Sequence, residues 1–426
     1  MARDAMPAYT DISEGLIILP NSAWLWIRMP RAYMQYHVVE DYEAHAIQFA
    51  RAINSITPDS GELEIHLRLV REEFDVENWA ETWPRNDERL AEDRNLARRS
   101  NDYLVAAAQH ISSRQFVQSA PYLGIRLPQP AQDSRGFFKS LLDGIGILGG
   151  SGDPAVSDEV KKHYQKQASL FLSRLQREYP TGPGSEPLRL ATTRELLSLV
   201  RAPFEETSGA DGIPKGWDWA DKDKIRSVVD HEFTVHAREV EFTRPDQYFT
   251  SVGSLAVMPD YIEWPQQLSW LGLVVSQDPL AEVSIRATIV PQKAVVKRLQ
   301  RAKAAAKEEA EEASEVGAFD AATDHMSQEA LVTGKLKQAQ GRDTGWIDMT
   351  CRVQITEDSL EQLVERRENL RHVLKEAGYI IEFLPHEQLP LLIESMPGGR
   401  WQYSLHRLQF DLEQIGATGI LLDYAV

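Results

Sequence analysis

Cysteine is almost absent from this 426-residue chain, which contains only Cys351. A single thiol cannot form an intrachain disulfide or build a cysteine-based zinc site, so a disulfide framework and a zinc finger are both excluded. The surrounding residues 349–353 have the pattern of a strand. We therefore predict that Cys351 is a small buried thiol and not a nucleophile.

Long apolar runs are missing as well. Runs such as residues 15–19 and 271–275 are about five residues long, whereas a membrane-spanning helix needs about 20. Residues 1–14 lack the basic and then apolar order of a secretory signal. These absences predict a cytoplasmic protein that does not span a membrane.

Positive charge is in short supply. Lysine and arginine total 46 against 64 aspartates and glutamates, which gives a net charge of −18. An acidic surface is repelled by phosphate backbones, so direct nucleic-acid binding is not expected. Hydrophobic residues make up 42% of the chain, as in a globular protein. Its length of 426 residues allows two or three domains and ample core.

The first half contains alternating strand and helix patterns. Apolar spacing predicts strands at 15–29 (two, around a Pro-Asn-Ser turn), 62–73 and 116–127, and helices at 39–56 and 87–113. We predict an amino-terminal α+β domain over residues 1–130. Residues 131–225 are predicted as a helical and linker region, with helices at 156–178 and at 193–200, the second capped by Thr193 near Glu195.

The second half has a more regular order, predicted as a domain over residues 226–426 with a carboxyl-terminal linker. Strands are predicted at 233–242, 248–257, 281–290, 346–355 and 379–384, and helices at 259–272 and 356–377, the latter ended by Gly378. Without a helical insertion at 293–340, residues 246–384 run β-α-β-β-α-β. The predicted fold class is therefore α+β, a ferredoxin-like unit with a helical-hairpin insertion plus the amino-terminal α+β domain.

Catalytic motifs are not found. The Gly334-Lys335 pair is followed by Leu336 and lacks the rest of a phosphate-binding loop, and the glycine-rich residues 149–152 do not form a G-x-S-x-G elbow. No catalytic, cofactor-binding or metal residue is predicted. The motif H-E-x-x-x-H at His231, Glu232 and His236 is one residue longer than the H-E-x-x-H of a zincin helix, which argues against a metal site. A metal-dependent hydrolase around His231 and Glu232 nevertheless stays an alternative.

The insertion has an unusual charge order. Basic residues fill its start, and glutamates at 308–315 follow. Either the insertion is a solvated helical hairpin, or it is an arm that docks on a partner. If it docks, the candidate interaction patch is Lys297, Arg298, Arg301 and Lys303.

Several segments of the second half combine strands with turns in a familiar order. They are residues 248–252, the apolar-Met-Pro step at 255–259, residues 284–291 before the charged hairpin, the helix at 360–374, and residues 389–398 ending in Met-Pro-Gly. Residues 233–426 thereby resemble the amino-terminal, non-catalytic region of the TraC-like traffic ATPases of conjugative type IV secretion systems. The first half is similar more loosely.

This resemblance implies a scaffold that docks a motor to inner-membrane proteins of the secretion channel and forms homo-oligomer contacts. It also allows peripheral association with the inner face of the cell membrane. In the family an ATPase domain with Walker motifs follows this region, and this sequence ends about where the linker to it would begin. ATP is therefore expected only in that further domain, and no cofactor in this chain. A stand-alone structural protein of a phage or secretion assembly is a second alternative.

Overall fold

The computed structural model describes residues 9–30, 39–58, 61–73, 117–128, 158–179, 187–204, 232–243, 247–259, 269–277, 281–315, 332–337, 345–402 and 405–412, with a few isolated positions. Within them, thirteen strands form one antiparallel sheet, and helices cover it. The predicted α+β class is confirmed, and the sheet is antiparallel. No helix in the described part of the chain is long and apolar enough to cross a bilayer.

Among the described residues, the first half contributes six strands and three helices. The strands are β1 (Asp11–Ser13), β2 (Leu16–Leu19), β3 (Ser22–Arg28), β4 (Leu63–Glu73), β5 (Val117–Leu127) and β6 (Arg189–Leu190). The helices are α1 (Val39–Ile56), α2 (Asp158–Glu178) and α3 (Thr193–Arg201), which continues as a 3-10 turn over Ala202–Phe204.

Within the described part of the second half there are seven strands and four helices. The strands are β7 (Phe233–Val235), β8 (Val240–Phe242), β9 (Tyr248–Val257), β10 (Glu282–Val290), β11 (Trp346–Glu357), β12 (Ile380–Glu382) and β13 (Leu408–Asp411). The helices are α4 (Trp270–Gln277), α5 (Gln292–Glu315), α6 (Leu360–Glu376) and α7 (Gln388–Ser395).

The two halves share one order of described elements. The first runs β1-β2-β3-α1-β4-β5-α2-β6-α3, and the second runs β7-β8-β9-α4-β10-β11-α6-β12-α7, with α5 inserted between β10 and β11 and β13 added after α7. Their strands also pair alike, in the spatial orders β6-β3-β5-β4 and β12-β9-β11-β10. The antiparallel pair β4–β10 joins the halves into one sheet.

Both faces of the central strands of the sheet are buried, because helices cover each of them. Successive side chains of a strand point to opposite faces, so Leu25 and Ile27 face α1 and α2, while Trp24 and Trp26 face α3. Helices α4 and α6 continue the first layer, and α7 continues the second. Gly124 pairs with Trp26, and a Cβ at this glycine would lie 2.8 Å from the indole ring. The small residue thus makes room for the tryptophan.

Local signals place most elements close to their predicted positions, and the differences have local causes. The cap of α3 is Thr192 and not Thr193, because Thr192 lies three residues before Glu195 and completes a capping box with it. Ser359 caps α6, so Thr356–Asp358 does not begin that helix, while Gly378 ends it with a φ of +84° as predicted. The predicted strand 233–242 is a hairpin of β7 and β8, turning between Val235 and Val240.

The insertion forms α5 and a shorter helical stretch at 332–337. Val295 and Leu299 of α5 pack with Val332 and Leu336 of that stretch, close to Val290 at the end of β10. The predicted helix at 87–113 lies almost wholly outside the described residues, as do the predicted domain boundaries near 130 and 225, which stay predictions.

Candidate functional site

Charged and polar side chains line the centre of the sheet on the face that α3 and α7 cover. Their alternate positions on β4, β10 and β11 direct them to one side, while the residues between them are apolar and enter the opposite core. All are buried or nearly so: Glu64, His66 and Arg68 on β4, Glu282, Ser284 and Arg286 on β10, and Asp348, Thr350, Arg352 and Gln354 on β11.

Two reciprocal ion pairs cross the junction between the halves. Arg68 of β4 pairs with Glu282 of β10 at 2.9 Å, and Arg286 of β10 pairs with Glu64 of β4 at 2.6 Å. In each strand the glutamate precedes the arginine by four residues. The arginine of each strand therefore pairs with the glutamate of the other strand, which is the pattern of a self-complementary interface.

Burial and the ion pairs have opposing effects on the pKa values of Glu64 and Arg68. Burial opposes ionisation of Glu64, but the guanidinium groups of Arg286 and Arg126 outweigh it, and the pKa of Glu64 lies below its ordinary value. Burial lowers the pKa of Arg68, and Glu282 counteracts this. Arg286 also stacks on Trp24, with its guanidinium carbon 4.9 Å from the ring centroid, which adds a cation–π contact.

His66 lies between the two ion pairs. Its Nε2 is 2.8 Å from Ser284 Oγ, and its ring contacts Trp26 edge-on at 5.4 Å between centroids. Burial lowers the pKa of His66 well below 6.5, and the positive charges of Arg286 and Arg68 lower it further. The imidazole is therefore neutral in the folded protein at neutral pH.

The neutral state of His66 predicts a loss of stability in acid. Below about pH 6.5 the unfolded chain binds a proton that the folded His66 does not, so stability decreases as pH falls, by up to about 1.4 kcal/mol per pH unit. We expect His66→Gln, which keeps a polar group near Ser284, to reduce the difference in unfolding free energy between pH 7.5 and 5.5. Urea unfolding at both pH values measures it. The control is His372→Gln on the exposed face of α6, and equal pH dependence in wild type and His66→Gln would refute the assignment.

A third buried ion pair attaches α7 to the sheet. Arg352 Nε lies 3.2 Å from Glu394, and both side chains are at most 1% exposed. Glu394 also accepts hydrogen bonds from Thr350 Oγ1 at 3.1 Å and from the backbone N–H of Gln402 at 2.9 Å. Arg352 donates further to the carbonyl of Leu405 at 3.1 Å. This pair therefore holds both α7 and the segment after it.

The remaining arginines of the row contact the same covering segment. Arg68 donates to the carbonyl of Ser395, and Arg286 donates to that of Gly399 at 3.0 Å. Trp401 Nε1 donates to Thr350 Oγ1 at 2.8 Å. The polar row is thus bound to backbone and carboxylate groups of the chain itself. Its role is to attach residues 395–402 and Leu405 to the sheet.

Cys351 is buried as predicted. It lies on the opposite face of β11 from the arginines, among apolar side chains. Burial raises the pKa of its thiol to about 12. A thiol with so little thiolate is a poor nucleophile.

The predicted interaction patch lies on α5, and the structure separates its members. Lys297 and Arg301 are exposed on one face of the helix, whereas Lys303 is only partly exposed and turns to another side. Arg298 is also exposed but forms an ion pair with Glu62, just before β4. This ion pair lies where the arm leaves the sheet.

Part of the H-E-x-x-x-H motif falls within the described residues. His231 lies outside them, whereas Glu232 precedes β7, and His236 in the β7–β8 turn contacts Glu241 at 2.9 Å. The hydrogen bond from His236, and then one from Gln247, lower the pKa of Glu241. Among the residues that the structure describes, no group of three or more histidines, cysteines or acidic residues could hold a metal ion.

Sequence reasoning did not find the buried polar row, although a signal was present. Arg68, Arg286 and Arg352 each occupy a position in a strand whose neighbours on both sides are apolar. A charge in such a strand costs free energy unless it is paired, so the alternation indicates that each arginine has a partner. The pattern does not identify the partner; that of Arg352, for example, is Glu394, which is distant in sequence.

No family model matches this chain, and no curated protein matches it.

Proposed function

We propose that this chain is a non-catalytic scaffold: the amino-terminal interaction region of a TraC-like traffic ATPase of a conjugative type IV secretion system. In this role it docks the motor to inner-membrane proteins of the secretion channel and contributes oligomer contacts. The observation that carries the proposal is the exposed arm of α5, which follows β10 in the position that the resemblance assigns to a charged hairpin.

The order of the strands supports the finer fold assignment within this proposal. We infer that β9-α4-β10-β11-α6-β12 is a ferredoxin-like unit, since its strands lie in the order 4-1-3-2 and all pair antiparallel. The first half has the same order in β3-α1-β4-β5-α2-β6. We infer that the first half is another copy of this unit, and that the two units are joined by pairing of their edge strands β4 and β10.

A scaffold has to keep its contact surfaces in fixed relative positions. The continuous sheet and the three buried ion pairs join the two halves and hold the segment after α7 on the sheet. The described arginines of this row engage the chain itself, so recognition falls to surfaces such as α5. This division of roles fits a docking module better than an enzyme.

Co-purification tests the docking role. We expect reversal of Lys297, Arg298, Arg301 and Lys303 to glutamate to abolish co-purification with inner-membrane proteins of the secretion channel, because the arm loses its basic surface. Far-UV circular dichroism is expected to be unchanged, since all four side chains are at least partly exposed. The matched control reverses four exposed residues of α2: Lys162, Lys166, Arg174 and Arg177. Equal co-purification of all three proteins would refute docking through the arm.

Two measurements separate the alternatives. Stoichiometric zinc in the purified protein would favour a hydrolase around His231 and Glu232, although the described residues offer no metal-binding cluster. The DNA beyond codon 426 distinguishes the motor scaffold from a stand-alone structural protein of a phage or secretion assembly. An in-frame Walker A motif there is expected from our proposal, and a stop codon with no ATPase gene nearby would favour the structural protein.

A further inference from the structure

Helix α5 has a packed face of apolar residues. Val295, Leu299, Ala306 and Ala310 are all buried, and at about 100° per residue they share an arc of about 60°. Two of them pack against Val332 and Leu336 of the returning helical stretch. The arm is therefore anchored along this side and leaves the opposite side to solvent.

The opposite face carries a symmetric charge pattern. Its residues span an arc of about 100° on the helix and are all exposed: Lys297, Arg301, Ala304, Ala305, Glu308 and Glu312. The midpoint between the two alanines is equally distant from Lys297 and Glu312, and equally distant from Arg301 and Glu308. Rotation by 180° about that midpoint therefore exchanges each basic position with an acidic one.

This pattern disfavours the helix in isolation. Like charges lie four residues apart at Lys297 and Arg301, and again at Glu308 and Glu312, which is destabilising. The basic half is at the amino end and the acidic half at the carboxyl end, which opposes the helix dipole. None of these four side chains has an ion-pair partner among the described residues. A partner that supplies the opposite charges in the opposite order would relieve both effects.

We propose that α5 pairs with α5 of a second copy of this chain, antiparallel, about a two-fold axis between Ala304 and Ala305. Lys297 then faces Glu312 of the other copy, and Arg301 faces Glu308, each contact occurring twice. The small alanines on the axis let the two helices approach to about 8 Å. A parallel arrangement would oppose like charges. This inference rests on the proposed scaffold function and specifies the surface of its oligomer contact.

Charge exchange tests the pairing by sedimentation equilibrium in about 50 mM salt, where exposed charges are weakly screened. We expect K297E/R301E and E308K/E312K each to weaken dimerisation at least about tenfold, because each opposes like charges across the axis. The quadruple variant reverses every pair and keeps the net charge, so it is expected to recover the wild-type dissociation constant within about threefold. K162E/K166E on α2 controls for the added negative charge.

Cross-linking tests the position of the axis. Cys351 is buried, so a cysteine introduced on the arm is the reactive thiol. Ala304→Cys is expected to form a disulfide-linked dimer under mild oxidation. Glu312→Cys is not, because the two copies of residue 312 would lie about 22 Å apart along the helices.

Two outcomes would overturn the pairing: a quadruple variant as weak as either double variant, or a wild-type protein that stays monomeric at low salt. In either case co-purification with channel proteins can still succeed, and the proposed function would stand without this contact. A wild-type protein that dimerises but does not co-purify with the channel proteins would instead refute the docking role alone.

Discussion

Replacing Glu394 with leucine is expected to lower the free energy of unfolding by about 3–5 kcal/mol, because removal of one partner strands a buried charge. Glu394 is completely buried and accepts from Thr350 and from the backbone of Gln402 in addition to its ion pair with Arg352. Leucine restores none of these contacts. Arg352 would keep its hydrogen bonds to backbone carbonyls but would lose its counter-charge.

Urea unfolding followed by tryptophan fluorescence measures this loss. The matched control is Glu368→Gln on α6, where an exposed ion pair with Arg371 is worth at most about 1 kcal/mol. Glu394→Gln tests charge separately from shape, and we expect it to fall between Glu394→Leu and wild type. If Glu394→Leu unfolded at the same urea concentration as Glu368→Gln, the pair would not stabilise the fold.

Glu282→Leu is expected to cost a similar amount, about 3–5 kcal/mol, by stranding Arg68 in the interior. Both side chains are at most 2% exposed, and their ion pair bridges β4 and β10. The effect is therefore expected at the junction of the two halves. Thermal unfolding with intrinsic fluorescence and calorimetry measures it.

A double-mutant cycle with Arg68→Leu isolates the pairwise part of this effect. We expect a coupling free energy of about 1–3 kcal/mol. The cycle of Glu64→Leu with Arg286→Leu is the matched comparison, because it removes the reciprocal pair. Coupling should be similar in both cycles, and additive effects in both would show that the junction depends on apolar packing alone.

The junction also explains how the halves become one body. At β4–β10, Leu67 lies opposite Ile285 in one core, while His66 lies opposite Arg286 in the polar row on the other face. The edge of each half is paired and covered, which removes an exposed strand edge. A network this far inside the protein is costly unless every member is paired, and the described contacts meet most of that requirement.

Much of the fold could be predicted because its signals are local. Strands β3, β4 and β10 follow from alternation, and α1 follows from its helical spacing. Gly378 ends α6 because it adopts a left-handed conformation that glycine tolerates. The predicted cap of α3 was wrong because Thr192 and Thr193 both have a side chain that can cap a helix. Only the spacing to Glu195 distinguishes them.

The candidate sites differ in how far sequence reasoning could reach. The basic start of the arm was visible as a run of lysines and arginines, since charge order along one helix is local. The self-complementary stripe needed the structure, because only the packed face of Val295 and Leu299 shows which side of α5 is exposed. The buried row needed it too, since Arg352 and Glu394 are far apart in the chain.

The sequence by itself determined that the chain has one buried thiol, alternating strands and helices, and a charged helical insertion. Each of these features depends on composition or on neighbours within one helical turn or one strand. Only the tertiary structure decided that β4 and β10 join two like-ordered halves, that three arginines in strands are paired inside the protein, and that one face of α5 is exposed. These properties depend on contacts between residues distant in sequence, which no local pattern specifies. In the described sheet, the buried charges form ion pairs that join the two halves and attach the segment after α7.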